Sequence, residues 1–224
     1  MDASIIIPVY NEESRIKPFL SELKPIIKPG WEAIFVDDGS VDGTLKMLKK
    51  FKIANKRIIS YKKNRGKGFA VKKGVMAANG KYIIFIDADG SIHPSQIGLM
   101  LEYLSKYQVV VGTRASNESK VKAPFIRKLL GTIFNAYVNF IYNVKIKDNL
   151  CGFKGFQRSA AKSLFKNLLS ERWIFDVELF YKIRKQGMSL YEMPIKWVHK
   201  RNSKMSIVDP LRIAYELLKL RARI

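Results

Sequence analysis

The sequence predicts an α/β fold, a mostly parallel twisted sheet flanked by helices on both faces. Short apolar runs alternate with helical segments through the first half of the chain, the pattern of strands buried on both sides. Acidic motifs follow three of those runs directly, and in parallel sheets ligands sit beyond the carboxyl ends of the strands.

The first apolar run is Ile5–Pro8, followed by a helix over Glu13–Ile27. A second run, Ala33–Val36, ends at Asp37-Asp38-Gly39-Ser40, and Thr44–Phe51 is helical. Arg57–Tyr61 reads as a strand and Gly68–Ala78 as a helix. Tyr82–Ile86 is a strand rich in β-branched residues that ends at Asp87; Ser95–Tyr107 is helical and Val109–Gly112 is a further strand. No linker, repeat or low-complexity tract interrupts the chain, so residues 1–224 are expected to form one domain with halves at 1–115 and 116–224.

Charge narrows the function classes. Lys and Arg number 41 against 19 acidic residues, a net +22, of which residues 116–224 carry +14. Such a surface seeks a polyanion: nucleic acid, anionic lipid or a phosphorylated substrate. An apolar share of 47 % supports a sizeable core and excludes general disorder. Cys151, the single cysteine, excludes an internal disulfide and suits a reducing compartment. No signal peptide is expected, because the N-terminus runs straight into Ser4-Ile5-Ile6-Ile7. Leu129–Val144 is the most apolar stretch, yet it falls short of the roughly 20 residues a bilayer span requires. Asn135, Asn139 and Asn143 lie four apart within it, on one helical stripe, so a core or interfacial helix is expected.

The three strand-end motifs are Pro8-Val9-Tyr10-Asn11-Glu12-Glu13, Asp37-Asp38-Gly39-Ser40 and Asp87-Ala88-Asp89-Gly90. Loops at one sheet edge converge, and carboxylates crowded there require a cation or donor hydrogens. Asp87 and Asp89 form an acid pair suited to Mg²⁺ or Mn²⁺; the alternative is a turn that caps the next helix. One carboxylate of Asp37-Asp38 grips base or ribose donors, or else caps the helix from Thr44. In Asn64-Arg65-Gly66-Lys67-Gly68, glycines let amides approach a phosphate while Lys67 supplies charge, although the spacing is not that of a P-loop; a solvated turn is the alternative.

In this order and spacing the three motifs resemble the large inverting glycosyltransferase family with the GT-A fold. Gly112-Thr113-Arg114, Asp148-Asn149-Leu150-Cys151-Gly152-Phe153-Lys154, Glu171-Arg172-Trp173-Ile174-Phe175-Asp176-Val177-Glu178-Leu179 and Ser203-Lys204-Met205 extend the resemblance to the polyprenyl-phosphate sugar synthases, the dolichyl-phosphate β-glucosyltransferase branch in particular. That branch usually carries an N-terminal membrane anchor, whereas this chain is read as starting directly at the catalytic domain. His93-Pro94 resembles the mannosyl branch instead, and His93 is expected to be a loop residue.

The resemblance implies a nucleotide-sugar donor, with UDP-glucose expected over GDP-mannose, and a polyprenyl (dolichyl) phosphate acceptor. It makes residues 1–115 the nucleotide-sugar-binding half and 116–224 the acceptor-binding, membrane-associating half. Pro8, Tyr10, Glu12 and Asp37 would hold the nucleoside, with Asp38, Lys67 and Ala88 also on the donor side. Asp87 and Asp89 would hold the Mg²⁺ or Mn²⁺ that bridges the diphosphate, with Asp89 counted among the catalytic residues. A lipid phosphate is already an anion and needs positioning more than a general base. Arg114, Arg127, Arg201 and Lys204 are the candidates to bind it, Arg127 being equally readable as an interfacial snorkelling residue. Asp176 and Glu178 would orient the sugar hydroxyls or the acceptor arginines.

The C-terminus from Ile207 reads as an interfacial helix, with Leu211, Ala214, Tyr215 and Leu218 on one stripe and basic residues mainly off it. A helix packed on the core with a solvated basic face is the alternative. The expected partner is an anionic membrane surface, bound peripherally at its cytoplasmic face, with no transmembrane helix in this chain. A nucleic-acid-binding module is the rival class; clustered strand-end carboxylates and the lack of a recognised motif speak against it.

Overall fold

The computed structural model describes residues 1–122, 125–199 and 210–223, without the side chains of residues 122–128, 130 and 210–214. The chain opens with β1 (Ala3–Val9), α1 (Ile16–Leu23), β2 (Trp31–Asp37) and α2 (Thr44–Lys50). Next come β3 (Lys56–Ser60), α3 (Lys67–Ala77), β4 (Tyr82–Ile86), α4 (Gln96–Leu104) and β5 (Val109–Thr113). The second half holds β6 (Lys120–Lys122), α5 (Phe125–Tyr142), β7 (Phe153–Gln157), α6 (Arg158–Lys166), α7 (Phe175–Lys185), β8 (Leu190–Pro194), β9 (Lys196–Val198) and α8 (Pro210–Arg221).

Seven strands form one sheet in the order β3-β2-β1-β4-β7-β5-β8, and β6 pairs with β9 in a second, two-stranded sheet. Strands β1 to β4 pair in parallel, as their uninterrupted apolar runs predict. The sheet is mostly parallel, as the sequence predicts: one strand, β7, runs antiparallel between β4 and β5, and β8 closes the far edge parallel to β5. The sheet is therefore mixed, and β7 begins at the edge where the parallel strands end.

Alternation along each strand divides the core. Ile5, Ile7, Phe35, Ile84 and Ile86 face α1 and α4, while Ile6, Ile34, Val36, Ile83 and Phe85 face α3, α6 and α7. Helix α1 is shorter than the expected 13–27: it starts after the turn in which the Glu12 carbonyl accepts the Arg15 and Ile16 N–H groups. It closes at Lys24, because Pro25 has no N–H to extend the ladder.

Helix α8 resolves the alternatives left open for the C-terminus. Leu217 and Leu220 are buried in the core, worth about 1.5–3 kcal/mol each. The Tyr142 hydroxyl donates to the Leu217 carbonyl and ties α8 to α5. Tyr215 and Leu218, from the expected apolar stripe, point outward. Leu211 and Ala214 are among the residues whose side chains are not described. The helix is thus packed on the core and at the same time presents an apolar outer face.

Candidate active site

Every candidate donor-side loop lies at the carboxyl edge of the parallel strands, and each is held by side-chain bonds that the local sequence supplies. Asn11 takes a left-handed backbone (φ 48°), which Asn tolerates better than most residues. Its N–H donates to the Ser40 hydroxyl at 2.9 Å and its side-chain oxygen accepts the Val41 N–H at 2.8 Å. The β1 and β2 loops are thereby stitched together. Pro8 lies in β1 opposite Val36, one residue before the strand ends at Val9, and Tyr10 lies half-buried just beyond it. Glu12 pairs with Arg15, so its carboxylate already has a cation, and its N–H is capped by the Thr44 hydroxyl at 2.7 Å.

The paired acids Asp37 and Asp38 do different jobs. Asp37 accepts from the Ser60 hydroxyl at 2.8 Å and the Ser40 N–H at 3.1 Å, which fixes its carboxylate at the end of β2. Asp38 turns into the following loop: its oxygens accept the Arg65 and Gly66 N–H groups, both at 2.8 Å, and the Asn64 amide at 2.9 Å. This corrects the phosphate reading of Asn64–Gly68, because the Arg65 and Gly66 amides are spent on Asp38. Gly66 is required for another reason. Its φ is +108°, and a Cβ there would lie 2.7 Å from the Glu171 carbonyl oxygen.

Lys67 reaches Asp87 at 2.7 and 2.9 Å and stands 5.8 Å from the Trp173 ring. Burial works against its ammonium, but Asp87, Asp176 and Asp89 together hold its pKa above the usual lysine value. Asp87 also donates its backbone N–H to the Gly152 carbonyl, and a Cβ at Gly152 would lie 1.8 Å from the Asp87 carboxylate. Only glycine leaves that carboxylate its place. Ala88 is buried, and Asp89 accepts the Ser91 N–H at 2.8 Å across the turn.

The described residues hold no group of three or more His, Cys, Asp or Glu side chains that could cage a metal by themselves. Two carboxylates two residues apart fit a hard cation that completes its shell with phosphate oxygens and water. The cradle that Gly152 leaves around Asp87 keeps one of them in position for that purpose.

Arg114 follows β5 and forks onto Asp148, with Nε and Nη2 each at 2.7 Å and its backbone N–H at 3.0 Å. Its guanidinium also lies 5.4 Å from the Trp197 ring. Burial opposes the Asp148 carboxylate, yet the bonds and charge of Arg114 outweigh it and hold the carboxyl below its usual range. Among the described residues, Nη1 of Arg114 has no hydrogen-bond partner, which leaves one donor edge for an anion.

Asp176 and Glu178, left undivided by the sequence, separate here. Asp176 is buried in the first turn of α7 and bonds Lys154 at 2.7 Å. Glu178 is fully buried, its carboxylate taken by the Leu169 and Ser170 N–H groups and by Lys182. Those bonds correct the expectation that Glu178 orients sugar hydroxyls or acceptor arginines. It fixes the 169–172 loop that packs on Gly66 and Gly68. Arg127 lies in α5 with its side chain undescribed, and Arg201 and Lys204 lie outside the described residues.

Lys154 escaped the sequence reading as a functional residue. It is 1 % exposed, donates to the Cys151 carbonyl at 2.6 Å as well as to Asp176, and faces the Phe85 and Phe180 rings. A signal existed: a lone lysine in Phe153-Lys154-Gly155-Phe156 implies a buried cation with a carboxylate partner. Arg15 and Ser60 carried no comparable signal. His93 is a turn residue bonded to Ser95, and burial pushes the Cys151 thiol up to about 12, so it packs as expected.

Residues 4–165 match glycosyl transferase family 2. The chain is 36 % identical over 246 residues to dolichyl-phosphate beta-glucosyltransferase of Saccharomyces cerevisiae, covering 97 % of this chain and 73 % of that protein. It is 33 % identical over 244 residues to the Homo sapiens protein of the same name, covering 98 % and 75 %. Among solved structures, glucosyl-3-phosphoglycerate synthase from Mycobacterium tuberculosis, in complex with Mn²⁺, UDP and glucosyl-3-phosphoglycerate, superposes with a TM-score of 0.76 at 18 % identity, over 100 % of this chain and 80 % of that one. Staphylococcus aureus TarS in complex with UDP-GlcNAc gives a TM-score of 0.66 at 20 % identity, over 99 % and 66 %. With its mixed sheet, its strand-end acid pair and these relatives, the chain belongs to glycosyl transferase family 2 and is a glycosyltransferase of the GT-A fold.

Proposed function

We propose that this enzyme transfers glucose from UDP-glucose to a dolichyl or other polyprenyl phosphate with inversion, at the surface of a membrane. The observation that carries this reading is the pairing of the site's acids. Asp87 is held by Lys67, Asp148 by Arg114, Asp176 by Lys154 and Glu12 by Arg15, while Asp89 and Asp37, which carry no ion pair among the described residues, are assigned to the metal and the nucleoside. A neutral hydroxyl acceptor calls for a free general base, whereas a phosphate monoester brings its own anionic oxygen. Arg114, with one donor edge open, suits such an anion.

The phosphate oxygen attacks C1 of the sugar from the face opposite the leaving group. One C–O bond forms, the bond from C1 to the diphosphate breaks, and the products are a lipid-linked glucosyl phosphate and UDP. Pro8, Tyr10 and Asp37 frame the nucleoside, Asp37 kept in place by Ser60 and Ser40. Asp87 and Asp89 would hold Mg²⁺ or Mn²⁺, which neutralises charge on the departing diphosphate. Relatives named for glucosyl transfer to dolichyl phosphate, and a structural neighbour solved with UDP and Mn²⁺, support the donor, acceptor and metal.

Membrane docking rests on two adjoining helices. Leu129, Ile133, Tyr137 and Phe140 make one exposed stripe on α5, with Phe140 88 % exposed, and α8 adds Tyr215 and Leu218. Lys219, Arg221 and Arg223 lie close by in sequence, and a basic apolar surface of this kind suits anionic lipid. Among the described residues no helix is long and apolar enough to cross a membrane, and the docking proposed here is peripheral. The cytoplasmic face is its proposed side, where a lone free thiol suits the reducing milieu.

Incubation with a panel of radiolabelled nucleotide-sugars and polyprenyl phosphate, followed by lipid extraction, tests the assignment. Label from UDP-glucose is expected in the lipid phase. Label from GDP-mannose alone would overturn the donor, and no lipid label from any donor would overturn the acceptor class.

A further inference from the structure

Helix α5 has three distinct faces. Val138 and Tyr142 face the core, and Leu129, Ile133, Tyr137 and Phe140 face outward. The third face carries Asn135 and Asn139, one helical turn apart and on roughly the opposite side from the exposed stripe. Their amides lie against the loop that follows the helix. Asn139 donates to the Ile146 carbonyl at 2.8 Å and accepts the Ile146 N–H at 3.1 Å. Asn135 donates to the Lys147 carbonyl at 2.9 Å and accepts both the N–H and the side-chain amide of Asn149 at 3.1 Å. Two side chains thus supply the backbone pairing that a neighbouring strand gives elsewhere.

Asp148 is the residue this pairing suspends. Its carboxylate takes three donors from Arg114. The loop is also held from other sides: the Lys147 N–H donates to Glu192 on β8 at 2.9 Å, Lys154 donates to the Asn149 carbonyl at 3.5 Å, and Val144 and Ile146 are buried in the core against which Val138 and Tyr142 of α5 pack. The amide bonds to Ile146, Lys147 and Asn149 bracket Asp148, so the seating of α5 bears directly on Asp148 and on the guanidinium it holds.

We propose that Asn135 and Asn139 are positioning residues that transmit the seating of α5 on lipid to Arg114, so that docking assembles the acceptor-phosphate site. This rests on the lipid-phosphate reading above and adds a regulation to it: the apolar face of α5 meets the bilayer while its amide face sets the phosphate-binding arginine. The catalytic step itself is unchanged, and neither asparagine touches a substrate.

The test uses the full chain, UDP-glucose, and a short-chain isoprenyl phosphate that stays in water, with and without empty anionic vesicles of phosphatidylserine and phosphatidylcholine. Vesicles are expected to lower the acceptor KM of the unaltered enzyme by about tenfold, within the roughly 5- to 150-fold range of ordinary coupling. Asn135→Ala and Asn139→Ala should float with the same vesicles and bind UDP as before, yet lose that stimulation. Asn135→Asp, which keeps the acceptor side of its bonds, should recover part of it. Asn139→Gln, which keeps both amide groups but displaces them, serves if an alanine variant folds poorly. Stimulation retained in the alanine variants, or no stimulation of the unaltered enzyme, would overturn the coupling. Failure of the unaltered enzyme to glucosylate any isoprenyl phosphate would instead overturn the reading on which it rests.

Discussion

The proposed donor side and the proposed acceptor side of the site are held by different means. On the donor side, three loops bind one another: Asn11 to Ser40 and Val41, Asp38 to Arg65 and Gly66, Asp37 to Ser60. Two of the loops follow β1 and β2, which are buried on both faces, and the third follows the half-buried edge strand β3, so paired strands and short bonds fix the proposed nucleotide end before any ligand arrives. On the acceptor side, Arg114 depends on Asp148, and Asp148 rides on a loop hung from α5, whose outer stripe is exposed. On the proposed function, the contrast teaches that the soluble substrate would meet a preformed site and the membrane-bound one a site supported by a helix with an exposed apolar stripe.

The largest expected break falls on the donor side. Asp89→Ala should lower transfer by about 10²–10³-fold, the order of losing one element of charge stabilisation in a closed site. Calorimetry should show UDP binding that no longer responds to Mn²⁺, and excess EDTA should silence the unaltered enzyme; turnover in EDTA with metal-free protein would sink the metal assignment. Lys154→Ala comes next. It leaves Asp176 buried without its cation, which costs about 3–5 kcal/mol and should appear as a clear fall in Tm. Full stability of that variant would show that Asp176 finds another partner.

Three smaller effects sharpen the acceptor side. Arg114→Lys keeps the charge but loses the fork onto Asp148, so acceptor KM should rise by roughly tenfold with UDP affinity unchanged. Equal loss for donor and acceptor would dissolve the division between the two sides. Phe140→Ser removes the most exposed aromatic among the described side chains of α5 and should weaken vesicle flotation by about one order of magnitude, from about 1.5–3 kcal/mol of lost burial per side chain. Unchanged flotation would move the lipid contact elsewhere. The smallest effect is in acid. Because Arg114 holds the Asp148 carboxyl below its usual range, their pairing stabilises the fold above the ordinary carboxylate pKa of about 3.9. That contribution is lost as pH falls through the lower folded value. Asp148→Asn should therefore flatten the acid side of the Tm profile, and an unaltered profile would show that the pair contributes nothing there.

The same division runs through what the sequence discloses. Parallel strands and their acidic ends are local patterns, so β1 to β5 and the positions of Asp37, Asp87 and Asp89 can be read one segment at a time. Strand β7 is not local: Phe153-Lys154-Gly155-Phe156 carries no directional signal, and its antiparallel course is imposed by the slot between β4 and β5. Side-chain aim is equally opaque. Neighbours Asp37 and Asp38 differ only in which loop donates to them, and Asp176 and Glu178 in whether a lysine or a backbone turn meets them. The asparagine spacing in α5 was visible as a polar stripe, but its partners lie in a loop without periodicity.

The place of β7 also has a meaning for the order in which the molecule is made. A ribosome finishes β5 some forty residues before the strand that must lie between it and β4 has been polymerised. Until residues 153–157 emerge, β4 and β5 each show an open hydrogen-bonding edge of valine- and isoleucine-rich backbone, the kind that adheres to other chains. Loop closure over that distance makes insertion a late, non-local event. The nascent chain therefore passes through a stage in which β1 to β4 can pair while β5 still lacks the strand that joins it to them.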